Sequence, residues 1–101
     1  MDARGFKIIY ILVQNMITIT VKAYGQLIME IGVEEFEIKV SSKLVMAIET
    51  LKQQLINKYN VVSAYTILLN GKNTSLLIKN SQPEDLKEMD EFSIVPVVIG
   101  G

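Results

Sequence analysis

The sequence predicts an α+β fold, a mixed sheet of about five strands with one main helix packed across one face. Three observations carry that prediction. Residues 16–24 alternate apolar and polar side chains. Leu44, Ile48, Leu51, Leu55 and Tyr59 recur at helical spacing. Residues 92–98 are apolar on nearly both faces, as a strand inside a sheet should be.

The first strand starts at Met16, with Ile17, Ile19, Val21 and Ala23 on one face and Thr18, Thr20, Lys22 and Tyr24 on the other. A period of two with β-branched side chains is a half-buried strand. Gly25 ends it; Leu27, Ile28 and Ile31 are then spaced for one helical turn, which Gly32 stops. Leu27, Ile28 and Met29 are adjacent and apolar, so at least one of them stays exposed. Residues 35–40 alternate again, with Phe36, Ile38 and Val40 inward and Glu35, Glu37 and Lys39 outward, and the two strands form a hairpin.

Ser41 or Ser42 is expected to cap the main helix by accepting from its orphan backbone N–H groups. Lys43, Glu49, Lys52, Gln53 and Asn57 fill its polar side, and Asn60 is the expected stop. Residues 65–69 read as a strand, and Asn70-Gly71 as a tight turn whose residues tolerate positive φ. Residues 76–78 read as a short strand. Residues 79–91 are expected to connect, with Leu86 and Met89 anchoring into the core. Pro96 cannot donate to a ladder, which places it at a bulge or near the end of the closing strand.

Composition narrows the function. The chain has 101 residues, half of them apolar and 21% charged, which supports one packed domain, assigned to residues 16–101. Residues 1–15 are an N-terminal extension, in which 6–13 is either an extra edge strand or sequence ahead of the domain. The longest apolar run, Ile8 to Val13, is too short to cross a membrane and lacks a signal-cleavage pattern, so the expected location is cytoplasmic. A net charge of −1 argues against a nucleic-acid partner. With no His and no Cys, a catalytic triad, a Cys–His dyad and a zinc–thiolate site are excluded, and no metal ligand set is expected. Any chemistry must use carboxylates, amines, hydroxyls or the chain end.

The sequence closes on Val97-Val98-Ile99-Gly100-Gly101, directly after the last strand. Two glycines there add nothing to packing. Side-chain-free residues carried by a strand can thread a narrow channel in another protein. The carboxylate could there meet a nucleotide phosphate.

The closing stretch Asp90-Glu91-Phe92-Ser93-Ile94-Val95-Pro96-Val97-Val98-Ile99-Gly100-Gly101 resembles that of the ubiquitin-like sulfur carriers with the β-grasp fold, nearest to the small subunit of molybdopterin synthase. Tyr24-Gly25-Gln26-Leu27 through Gly32 is similar to that family's first loop, and Asn70-Gly71 to its mid-chain turn. Met89 stands where the family often has glycine, Ile94 and Val95 where aromatics are common, and Val97 replaces a frequent second proline.

The resemblance implies that a ubiquitin-activating-type enzyme adenylates Gly101, and that a sulfur donor converts the acyl adenylate to a thiocarboxylate. It also implies a large molybdopterin synthase subunit that takes in Gly100 and Gly101 and uses the sulfur. The chain itself would be no enzyme and bind no cofactor, the ATP being used by the activating partner. Phe92, Ile94, Pro96, Val98 and Ile99 would brace the tail and contribute to partner binding. Two other readings stand beside this one: a ubiquitin-like modifier joined through Gly101 to target lysines, and a β-grasp binding module with an incidental Gly-Gly end. The acidic residues Glu84, Asp85, Glu88, Asp90 and Glu91 read either as a docking charge or, more commonly for such runs, as a solvated surface. Lys72, Lys79 and Lys87 read as ordinary surface amines.

Overall fold

The computed structural model describes residues 16–80 and 85–97. Its elements in chain order are β1 (Met16–Ala23), α1 (Gln26–Ile31), β2 (Glu35–Ser41), α2 (Leu44–Asn57), β3 (Tyr65–Leu69), β4 (Lys72–Asn73), α3 (Thr74–Lys79) and β5 (Glu91–Pro96). The strands form one sheet in the order β2-β1-β5-β3-β4. β1 pairs antiparallel with β2 and parallel with β5, and β3 pairs antiparallel with both β5 and β4. The expected mixed sheet of about five strands with one main helix is therefore what the described residues form.

The apolar stripe of α2 builds the core. Leu44, Ala47, Ile48, Leu51 and Leu55 are buried, and they share one cluster with Ile19, Val21, Ile38, Val40, Ile67, Phe92 and Ile94 of the sheet. Full burial of each large aliphatic side chain stabilises by about 1.5–3 kcal/mol relative to exposure. The helix ends at Asn57, before Tyr59. Asn60 then turns left-handed (φ 55°), so that its N–H reaches the Ile56 carbonyl and the Val61 N–H reaches that of Leu55. Tyr59 instead packs against Phe36, with ring centroids 5.0 Å apart.

Three local expectations are corrected. The N-cap of α2 is Lys43 and no side chain caps the helix; the Ser41 hydroxyl accepts from the Lys43 N–H at 3.1 Å, one step too early to reach the helical donors. Residues 76–78 are not a strand. The Asn73 side chain accepts from the N–H groups of Ser75 and Leu76, and the Thr74 hydroxyl donates to the Ile67 carbonyl at 2.8 Å, which starts α3 immediately after the two-residue β4. An apolar triplet such as Leu76-Leu77-Ile78 is compatible with either element, and the cap decides it.

The third correction concerns Met89. Leu86 is buried as expected, but Met89 is 96% exposed, because it occupies a left-handed turn position (φ 78°) that aims it away from the core. The expected turn at Asn70-Gly71 is present, with both residues at positive φ, linking β3 to β4. Residues 1–15, including 6–13, lie outside the described residues.

Candidate functional site

The candidate site is the end of the sheet where β5 leaves it. β5 is the central strand: Thr20 to Ala23 of β1 pair with Glu91 to Ile94 on one side, and Leu69 to Tyr65 of β3 pair with Phe92 to Pro96 on the other. Phe92 and Ile94 are fully buried, so they fix the strand and offer no surface to a partner. Pro96 is half-buried at the strand's last position. Val98, Ile99, Gly100 and Gly101 lie outside the described residues.

Both ends of β5 are fastened. At its start, the Asn70 side chain donates to Asp90 Oδ1 at 3.0 Å and accepts the Glu91 N–H at 2.9 Å, while the Asn70 N–H donates to the Glu91 carbonyl. Asp90 Oδ2 also accepts the Lys87 N–H at 2.8 Å. Glu91 sits 3.3 Å from Lys22 on the neighbouring strand, and its hydrogen bond and then its charge hold the Lys22 amine above the ordinary value of 10.5. Asp85 pairs with Lys43 at 2.9 Å. Asp85, Asp90 and Glu91 thus have partners within the chain, Glu88 is exposed, and Glu84 lies outside the described residues.

At its exit, β5 is held by two loops. The Tyr24 N–H donates to the Ile94 carbonyl and the Val97 N–H to the Ala64 carbonyl, both at 3.2 Å. β1 has turned away by the level of Pro96, so the missing proline donor leaves no ladder bond unmade on that side. Gly25 occupies the vacated place at φ 58°, where a Cβ would lie 2.9 Å from Pro96 Cγ. Only a residue without a side chain permits both that backbone and that contact.

The two exit loops are also tied to each other. Gln26 Nε2 donates to the Ser63 hydroxyl at 3.1 Å, and Glu30 Oε1 accepts the N–H groups of Val62 (3.1 Å) and Ser63 (3.3 Å). The Ser63 hydroxyl and then these backbone donors hold the Glu30 carboxyl below its ordinary value. Burial pushes the Tyr65 phenol, opposite Pro96, above its ordinary value, and Glu49 adds to the shift.

Apolar side chains stand out around this exit: Met29 is 86% and Val62 90% exposed, with Tyr24 and Val97 about half so. Segments 24–33 and 60–65 contain no Lys or Arg. Of the adjacent residues in α1, Leu27 is buried, Ile28 half-buried and Met29 exposed. Among the described residues no cluster of three metal-ligating side chains occurs, and no helix is long and apolar enough to cross a membrane. What the arrangement can do chemically is to hold a strand rigid up to Val97 and present whatever follows it.

Sequence reasoning found the strand, Pro96, Gly25 and the Asn70-Gly71 turn. It missed Gln26, Glu30, Val62 and Ser63, whose partners lie more than thirty residues away and leave no local pattern.

No protein-family profile and no curated protein matches the chain. Solved structures do. Small archaeal modifier protein 1 from Methanosarcina acetivorans superimposes with a TM-score of 0.60 at 24% identity, over 85% of this chain and 98% of that one. A putative molybdopterin converting factor subunit 1 from Pyrococcus furiosus gives 0.56 at 21%, over 81% and 99%. Small archaeal modifier protein 1 from Haloferax volcanii gives 0.53 at 18%, over 83% and 99%.

These likenesses establish the fold: the chain is a ubiquitin-like β-grasp domain.

Proposed function

We propose that this protein is a carrier that works through its C-terminal glycine, with molybdopterin biosynthesis as the pathway that draws on it. The observation that carries the reading is the fastening of β5 at both ends, immediately before Val98-Ile99-Gly100-Gly101 in the sequence. A carrier must deliver a narrow reactive arm into a partner's active site at a fixed angle. Holding reactants in place can supply much of a barrier reduction, and here the strand would do the holding.

In this reading a carboxylate oxygen of Gly101 attacks the α-phosphorus of ATP held by a ubiquitin-activating-type partner, and pyrophosphate leaves. Hydrosulfide supplied by a donor then adds to the acyl carbon and displaces AMP, which carries off the attacking oxygen, so one carboxyl oxygen is exchanged for sulfur. The resulting thiocarboxylate serves a larger synthase subunit. Neither step needs His or Cys from this chain. Tyr24, Met29, Val62 and Val97 supply an uncharged apolar rim that suits a partner closing around the tail.

The structures of similar fold include proteins named as modifiers as well as a converting factor subunit, which keeps conjugation of Gly101 to lysines as a second reading. Deleting Gly100 and Gly101 is expected to leave the fold intact and to abolish ATP–pyrophosphate exchange by the activating enzyme. Exchange undiminished by the deletion would sink both readings. Intact mass after native expression separates them: one oxygen replaced by one sulfur marks the carrier, and covalent ladders on other proteins mark the modifier.

A further inference from the structure

Among the described residues, the outer edge of β2 is the longest stretch of backbone that the sheet leaves open. β2 is a terminal strand, and among the described residues nothing pairs with its outer side. Its pairing with β1 defines which groups are free. Glu34, Phe36, Ile38 and Val40 lie at the hydrogen-bonded positions toward β1, as the 2.8 Å bond from the Ala23 N–H to the Glu34 carbonyl shows. The N–H and C=O groups of Glu35, Glu37, Lys39 and Ser41 therefore point outward.

The charges on this edge are only partly matched within the chain. Glu35 lies opposite Lys22 of β1, but Glu37 lies opposite Thr20 and Lys39 opposite Thr18. Neither Glu37 nor Lys39 forms an ion pair among the described residues, and both are exposed.

We propose that the β2 edge pairs antiparallel with the β2 edge of a second copy of this chain, in the register centred on Ile38, so that Glu37 of each copy lies opposite Lys39 of the other. Four alternative registers were open to the outward-pointing groups; like charges count against three of them and a short overlap against the fourth. A centre on Phe36 sets Glu35 against Glu37 twice; on Glu37, it makes two Glu35–Lys39 pairs but sets Glu37 against itself and overlaps only residues 35–39; on Lys39, it sets Lys39 against itself. A centre on Val40 leaves only residues 39–41 overlapping. The centre on Ile38 overlaps the whole of β2, satisfies the outward N–H and C=O groups at 35, 37, 39 and 41, and makes two Glu–Lys pairs with no like-charged one. On the core side the half-exposed ring of Phe36 lies at the seam, opposite the second copy's Val40, whose own side chain is already fully buried. The result is one continuous sheet across two molecules, an association of modest strength because edge pairing covers little area.

The test is amide exchange combined with sedimentation on the full chain at low salt. The Phe36, Ile38 and Val40 amides should be protected at every concentration by β1, whereas those of Glu37 and Lys39 should become protected only as concentration rises and dimer appears. Glu37→Lys should weaken dimerisation about tenfold or more, by turning two attractive pairs into two repulsive ones. Adding Lys39→Glu to it should restore association to within about threefold of the original. A protein that stays monomeric, or a dimer indifferent to Glu37→Lys, would overturn the proposal. So would protection of the Glu37 and Lys39 amides that does not vary with concentration, which would mean that the chain's own residues cover this edge.

Discussion

Met89 shows how a residue can be wrong for its own backbone. Its side chain is 96% exposed and packs on nothing, yet its φ of 78° is forced by the turn that Asp90 closes through its own N–H and carboxylate on Lys87. A left-handed conformation costs an L-residue about 1–2 kcal/mol. The sequences this chain resembles often have glycine here, and the geometry supplies the reason. Met89→Gly is expected to stabilise the fold by about 0.5–1 kcal/mol, part of the relieved strain being offset by a freer unfolded chain. A urea titration should show a higher midpoint with an unchanged slope. Gly25 is the converse: its φ of 58° and the approach of Pro96 leave no place for any side chain.

Between elements, Glu30 is the tie with a pH signature. It joins α1 to the loop before β3, and that loop holds Val97 through the Ala64 carbonyl. Its carboxyl sits below the ordinary value of 4.5 because the Ser63 hydroxyl and the Val62 and Ser63 N–H groups favour the charged form. The stability it contributes is therefore complete above pH 4.5 and is lost as pH falls through the lower folded-state value. Glu30→Gln should flatten the stability curve of the protein on the acid side of that point, measured by denaturant midpoints at stepped pH. At this scale the sequence was legible wherever one element makes its own pattern: the alternation of β1 and β2, the stripe of α2, the turn at Asn70-Gly71. It failed at α3, where Leu76-Leu77-Ile78 fits helix and strand equally and a side-chain cap from Asn73 decides between them.

For the molecule as a whole, the central position of β5 concentrates stability in one strand. Phe92 is fully buried between β1 and β3, in the core cluster it shares with the apolar stripe of α2. Phe92→Ala is expected to cost about 3–5 kcal/mol, a large part of the roughly 5–15 kcal/mol available to a domain. Thermal unfolding of this variant should begin tens of degrees lower or leave no folded baseline. The apolar character of residues 92–96 made this placement readable in advance, since only an interior strand can bury both faces. The ties at the exit were not readable, because Gln26, Glu30 and Ser63 are ordinary polar residues until the chain brings them together. Placing the last described strand at the centre also has a consequence for synthesis. β1, β2 and α2 leave the ribosome first, but their shared core has no closing member until residues 91–96 follow. At about 5–20 residues per second, the interval between Thr20 and its partner Glu91 is several seconds. For that time Val21 and Ala23 have no β5 neighbour, and the nascent chain is most open to trapping by other unfolded chains.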